Sequence, residues 1–231
     1  MSSAEKIGIY GGTFAPPHEG HVRAAHAFLA HCALDTLYII PTAISPHKPI
    51  DGNDHPADRL AMCRLAFSGS PSNGISVNGD PETSPASPET AAAKGRIIVS
   101  DYEQKCGGKS YTIFTLEHFR AQSEQLYLLC GTDMFLTLDT WYRGSDILSI
   151  AKICCLLRED SSEMQAAVQK KAAYYRDRFG TEVLLPAYTP LVVSSSEIRL
   201  RIRTGKSTAG LLSPKVREYI NEHHLYTEVT T

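Results

Sequence analysis

The segment Gly11-Gly12-Thr13-Phe14-Ala15-Pro16-Pro17-His18-Glu19-Gly20-His21 follows the apolar run Ile7–Tyr10 and gathers residue types that handle phosphate. Glycines let a turn bend tightly while backbone N–H groups approach an anion, which suits a polyphosphate. A helix starting around Glu19 to His21 would aim its positive end at the same spot. His18 and His21, three apart, then share one side of that helix. An imidazole can donate hydrogen bonds to phosphate oxygens as charge builds at phosphorus. Two glycines after a strand alone make only a turn, but glycines and two histidines together are far more specific. A helical zinc pair would stand four apart with a third ligand elsewhere, so phosphate binding is preferred to a metal.

Other residues are ambiguous by themselves. Ser194-Ser195-Ser196-Glu197-Ile198-Arg199 follows Leu191-Val192-Val193, with Ser194 and Glu197 spaced as a capping box. Such a helix start is ready for an anion, and Arg199 and Arg203 share one side of it, yet an ordinary capped surface helix fits these residues better. His47 and Lys48 sit among prolines after a second apolar run, where solvated charges are the default. Gly108 to Thr112 reads as a turn and helix cap. Asp133 follows the run Leu126–Cys130 and can accept ribose hydroxyls from a strand's carboxyl end. Trp141, the sole tryptophan, reads as core.

The elements that must position these groups alternate in type. Apolar runs at Ile7–Tyr10, Leu37–Ile40, Ile97–Val99, Leu126–Cys130, Ile153–Leu157 and Val183–Leu185 are separated by helical patterns. This is the signature of an α/β fold, with parallel strands joined by crossover helices. Val22, Ala25, Leu29 and Cys32 form one apolar stripe, and Leu60, Cys63 and Phe67 another. A helix is expected over Ser162–Phe179, stopped by Gly180, and two closing helices over 190–231, the last opened by Ser213-Pro214. Asn78 to Gly95, rich in Pro, Ser, Thr, Glu and Ala, reads as a mobile surface insertion in a single domain spanning 1–231.

Composition narrows the function. The 231 residues can bury a full core, and a net charge of -2 gives no basic nucleic-acid footprint, so small-molecule partners are expected. No run approaches membrane-spanning or signal-peptide length, which points to a cytoplasmic protein. The 6 cysteines form no Cys-x-x-Cys and read as buried free thiols.

The run Gly11 to His21 resembles the Gly-Gly-Thr-Phe-Asp-Pro-x-His-x-Gly-His signature of the bacterial nicotinate mononucleotide adenylyltransferases, within the His-x-Gly-His nucleotidyltransferase superfamily. Ala15 stands where that family usually has Asp. Val193 to Arg199 is similar to its Ile-Ser-x-Thr-x-Ile-Arg motif. Pro46-His47-Lys48, Gly108–Thr112, and Asp133 with Trp141 and Arg143 resemble further family segments in order. The resemblance implies a Rossmann-like nucleotidyltransferase fold that moves an adenylyl group from ATP to a pyridine mononucleotide in NAD biosynthesis, nicotinate mononucleotide before its nicotinamide counterpart. By it, Gly11, Gly12, Thr13, Phe14, His18, His21, Ser194, Ser196 and Arg199 would bind ATP, with His18, His21 and Arg199 catalytic. Lys48, Tyr111, Thr112, Asp133, Trp141 and Arg143 would bind the mononucleotide, Tyr111 and Thr112 through backbone contacts to the pyridine carboxylate and Trp141 by stacking. Mg²⁺ would arrive on ATP, without a protein metal site, in a monomer or homodimer. Pantetheine phosphate or a cytidyl nucleotide as substrate, or a non-catalytic nucleotide-binding regulator, are the competing readings.

Overall fold

The computed structural model describes residues 4–44, 53–68, 95–157 and 161–227. Among them, β1 (Lys6–Gly12), β2 (Thr36–Pro41), β3 (Arg96–Val99), β4 (Gln125–Gly131), β5 (Lys152–Leu156) and β6 (Val183–Leu184) form one sheet. Its order is β3-β2-β1-β4-β5-β6, and every pairing is parallel. The helices are α1 (Glu19–His31), α2 (Pro56–Phe67), α3 (Tyr102–Cys106), α4 (Thr112–Arg120), α5 (Thr132–Thr137), α6 (Gly144–Ile150), α7 (Ser162–Phe179), α8 (Ser195–Arg203) and α9 (Pro214–Glu222).

Strand residues alternate between faces, so each continuous apolar run feeds two cores. Ile7, Ile9, Leu126, Leu128 and Ile153 pack with Leu116 of α4, Ile147 of α6, and Val168 and Tyr175 of α7. On the other face Tyr10, Leu37, Ile39, Tyr127 and Leu129 meet Ala25, Phe28 and Leu29 of α1 and Cys63 and Phe67 of α2. Cys154 and Cys155 accordingly fall into opposite cores. A third cluster joins Ile198, Val216, Ile220 and Tyr226 of the C-terminal helices to Met62 of α2.

Every expected strand is present, and β1 runs on through Gly12, so the two glycines end the strand. The long helix starts after Ser161, whose side chain accepts the Met164 N–H, and stops at Gly180 with φ 68°. Ser213 caps α9 ahead of Pro214 as expected. The short α3, α5 and α6 have no counterpart among the expected helices. The insertion lies outside the described residues apart from Gly95, as do His47 and Lys48. No described helix is long and apolar enough to cross a membrane.

The chain leaves β1 toward β2 and β3, then returns to β4 on the other side. Crossovers therefore diverge between β1 and β4, and the crevice outside the carboxyl ends of these two strands is where such sheets take ligands.

Candidate active site

That crevice holds a cavity of about 380 Å³. Gly11, Gly12 and Thr13 form one wall, and Tyr111, Thr112, Asp133, Trp141 and Tyr142 line the rest with Thr42 and Glu103. A Cβ at Gly11 would meet no protein atom within 4 Å, so the missing side chain leaves that wall open. Asp133 sits in the first turn of α5, directly beyond β4, the strand-end position expected for a ribose contact. Trp141 is half-buried against the core while lining the cavity, so the core reading of this residue is incomplete. The rings of Tyr111 and Tyr142, which also line the cavity, lie 4.6 Å apart and tilted by 41°.

The turn after β1 is held from behind. Phe14 adopts φ 51° and is 2% exposed, its ring packed edge-on to Tyr10 and His21, so any contact with ATP at this residue falls to the backbone. Arg59 of α2, 1% exposed, donates to the carbonyls of Thr13, Thr42 and Ala43 and pairs with Asp54 at 2.9 Å. Neither Arg59 nor Asp54 was singled out from the sequence, because a helix pattern cannot show which charge is buried. Burial pushes the Asp54 carboxyl up, and Arg59 opposes it.

His18 is the N-cap of α1, and its backbone N–H donates to His21 Nδ1 at 3.2 Å. In the neutral imidazole the proton then sits on Nε2, which makes that atom the donor. The two rings stack at 3.6 Å. A Cβ on Gly20 would lie 3.0 Å from both His18 Nδ1 and Val193 Cγ1, so this glycine permits the chain before α8 to approach α1.

The N-terminus of α8 docks on the same turn. Ser195 Oγ donates to the Pro16 carbonyl at 3.0 Å and Arg199 Nη1 to the Ala15 carbonyl at 2.8 Å. Ala15 is buried, and Arg199 and Arg59 between them bind carbonyls on this turn, so it is held without a carboxylate at position 15. Ser194 caps the helix by accepting the Glu197 N–H, but the Glu197 carboxylate takes Arg201 Nε at 2.7 Å; the expected box is half made. Ser196 Oγ accepts from Arg199 Nη2.

The residues expected to bind ATP thus divide. Gly11, Gly12 and Thr13 line the cavity, while His18, His21, Ser194, Ser196 and Arg199 are outside its lining, at the N-terminal ends of α1 and α8. Arg143 is outside the cavity lining; its guanidinium bonds Glu117 at 2.8 Å and Asp146 at 2.6 Å, and its left-handed backbone at φ 54° opens α6. Tyr142, adjacent to Trp141, and Glu103 are among the cavity residues the sequence reading missed, with Thr42, Thr115, Met134 and Thr137. The Trp-Tyr pair was the available signal for the first.

Sheet, glycine turn and paired helix starts define a nucleotidyltransferase site. The cytidylyltransferase-like family matches residues 9–201, from β1 into α8. The chain is 33% identical to a probable nicotinate-nucleotide adenylyltransferase of Pelobacter propionicus, over 96% of this chain and 99% of that one. It is 35% identical to a Pseudomonas fluorescens protein of the same description, over 96% and 97%. The chain therefore belongs to the cytidylyltransferase-like family and, within it, to the nicotinate-nucleotide adenylyltransferases. The fold also matches a Plasmodium falciparum nicotinic acid mononucleotide adenylyltransferase complexed with APC, with TM-score 0.67, 16% identity and coverage of 96% of this chain and 97% of that one.

Proposed function

We propose that the protein transfers the adenylyl group of ATP to nicotinate mononucleotide, a step of NAD biosynthesis that yields nicotinate adenine dinucleotide and pyrophosphate. The observation that carries this reading is one cavity lined both by Gly11, Gly12 and Thr13 and by the aromatic Tyr111, Trp141 and Tyr142. A phosphate oxygen of the mononucleotide attacks the α-phosphorus of ATP, a P–O bond forms, the α–β bridge breaks, and pyrophosphate leaves. No covalent protein intermediate is required. The residues contribute position and charge stabilisation, with His18, His21 and Arg199 donating to the phosphates.

Ser194 and Ser196 would meet the ATP phosphates at the start of α8. Trp141 would stack on the pyridine, Asp133 would hold ribose, and Tyr111 and Thr112 would offer backbone N–H groups to the carboxylate. Lys48 would approach the mononucleotide phosphate. Mg²⁺ would be carried by ATP oxygens and water; among the described residues no group of three His, Cys, Asp or Glu is arranged to hold a metal. The reaction would take place in the cytoplasm.

Incubation with Mg-ATP and, separately, nicotinate mononucleotide, nicotinamide mononucleotide or phosphopantetheine tests this reading through released pyrophosphate. Fastest release with nicotinate mononucleotide is expected. Release with phosphopantetheine alone would overturn the substrate, and ATP binding without release from any acceptor would overturn catalysis.

A further inference from the structure

The C-terminal segment has no part in the transfer proposed above, yet it reaches the start of α2. After α9 ends at Glu222 the chain turns back through His224 and Tyr226, both in left-handed backbone at φ 51° and 62°. Neither is glycine, so each conformation costs free energy and persists only where neighbouring groups hold it. The Asn53 side chain supplies that hold. Its Nδ2 donates to the His224 carbonyl at 3.1 Å and its Oδ1 accepts the Tyr226 N–H at 2.7 Å. One carboxamide thereby bridges Leu225, which with the fully buried Tyr226 belongs to the cluster shared by Met62 of α2 and Ile198 of α8.

Asn53 directly precedes Asp54, the buried partner of Arg59 at 2.9 Å. Arg59 grips the Thr13 carbonyl of the glycine turn and the Thr42 and Ala43 carbonyls just beyond β2. These two places differ in their further support. The chain beyond β2 is also tied by the Thr42 N–H and hydroxyl to the Gly12 carbonyl, and by the Ala43 N–H to Ser110 Oγ. On the glycine turn the Thr13 carbonyl rests on Arg59 and the Ala15 carbonyl on Arg199 of α8. Arg59 depends on Asp54, next to Asn53, and α8 packs in the cluster that the tail completes. The C-terminal segment therefore backs the phosphate side of the site through two routes.

We propose that Asn53 is a positioning residue for ATP: by clamping residues 224–226 to the start of α2 it fixes the Asp54–Arg59 pair and, through it, the Thr13 carbonyl of the phosphate-binding turn. The inference rests on the ATP reading above. Fixing a binding turn in advance removes an ordering cost that would otherwise weaken affinity. A clamp that served stability alone would lower the unfolding midpoint without touching the affinity for ATP.

The test compares wild type with N53A, N53D, R59K and the N53A/R59K double variant, each as the full chain. Calorimetric titration with Mg-ATP gives its Kd without an acceptor, pyrophosphate release gives the KM of each substrate, and urea unfolding gives the midpoint. In N53A the Kd and KM for ATP should rise about fivefold, the scale of one net hydrogen bond. The KM for nicotinate mononucleotide should stay within about twofold. Asn53 is exposed, so the carboxylate of N53D remains in water; it keeps the acceptor for the Tyr226 N–H and should restore part of the affinity. The double variant should fall short of the product of the two single effects, as expected for groups that act through one another. Wild-type ATP affinity in N53A, with or without a lower midpoint, equal losses for both substrates, or a double effect equal to the product would overturn the positioning role. Should R59K fail to fold, D54N replaces it in the double variant, and should N53A fail, N53D carries the ATP comparison. Wild type that neither binds Mg-ATP nor releases pyrophosphate overturns the ATP reading itself, whereas an active wild type with an unaffected N53A overturns only the role of Asn53.

Discussion

On the proposed mechanism, removing the His21 imidazole takes away a donor to the ATP phosphates. His21→Ala should lower turnover by ~10²-fold or more, the scale of losing one transition-state donor. Steady-state pyrophosphate release measures it, and undiminished turnover would remove His21 from the mechanism. Its environment is already committed to that role: Nδ1 receives the His18 N–H, and Phe14 supports the ring edge-on. Arg199 shows a different economy, since one face of its guanidinium serves the Ala15 carbonyl and Ser196. The spacing of His18 and His21 was legible from the chain, but the carbonyl that Arg199 binds, 184 positions away, was not.

Among the elements, α2 acts as a buttress. Arg59→Ala would leave Asp54 buried without its cation and free three carbonyls, so a loss of about 3–5 kcal/mol in stability is expected. Urea unfolding should show a lower midpoint; an unchanged midpoint would deny the buttress. The link between α7 and the turn after α5 has a pH signature. Burial pushes the Asp139 carboxyl up, but hydrogen bonds from Lys171 and Tyr175 outweigh it and hold the pKa below the ordinary 3.8. The folded state therefore binds this proton less tightly than the unfolded chain. Its stabilisation is complete above about pH 4 and is lost as pH falls through the depressed folded value. D139N should flatten that acid limb in thermal unfolding followed by circular dichroism, and a limb identical to wild type would exclude Asp139 as its source.

Across the whole molecule, the cysteines report the integrity of both cores. Cys32, Cys63, Cys130, Cys154 and Cys155 are buried and Cys106 is exposed. A thiol reagent should label Cys106 rapidly in the native protein and the other five only on unfolding, since burial blocks access and pushes thiols such as Cys63 and Cys130 up. Rapid labelling of more than one would contradict the packing. The alternation of apolar runs and helices, the helix stops, and the strand-turn-helix pattern across Gly11–His21 were determined by the sequence alone, because each depends on neighbours within a turn or a strand. Strand order, the partners of Arg59, Arg143 and Arg199, and the meeting of Gly11 with Trp141 in one cavity were decided by the tertiary structure. These depend on contacts between residues scores of positions apart. Local periodicity constrains which face is buried, and only chain topology selects what it is buried against.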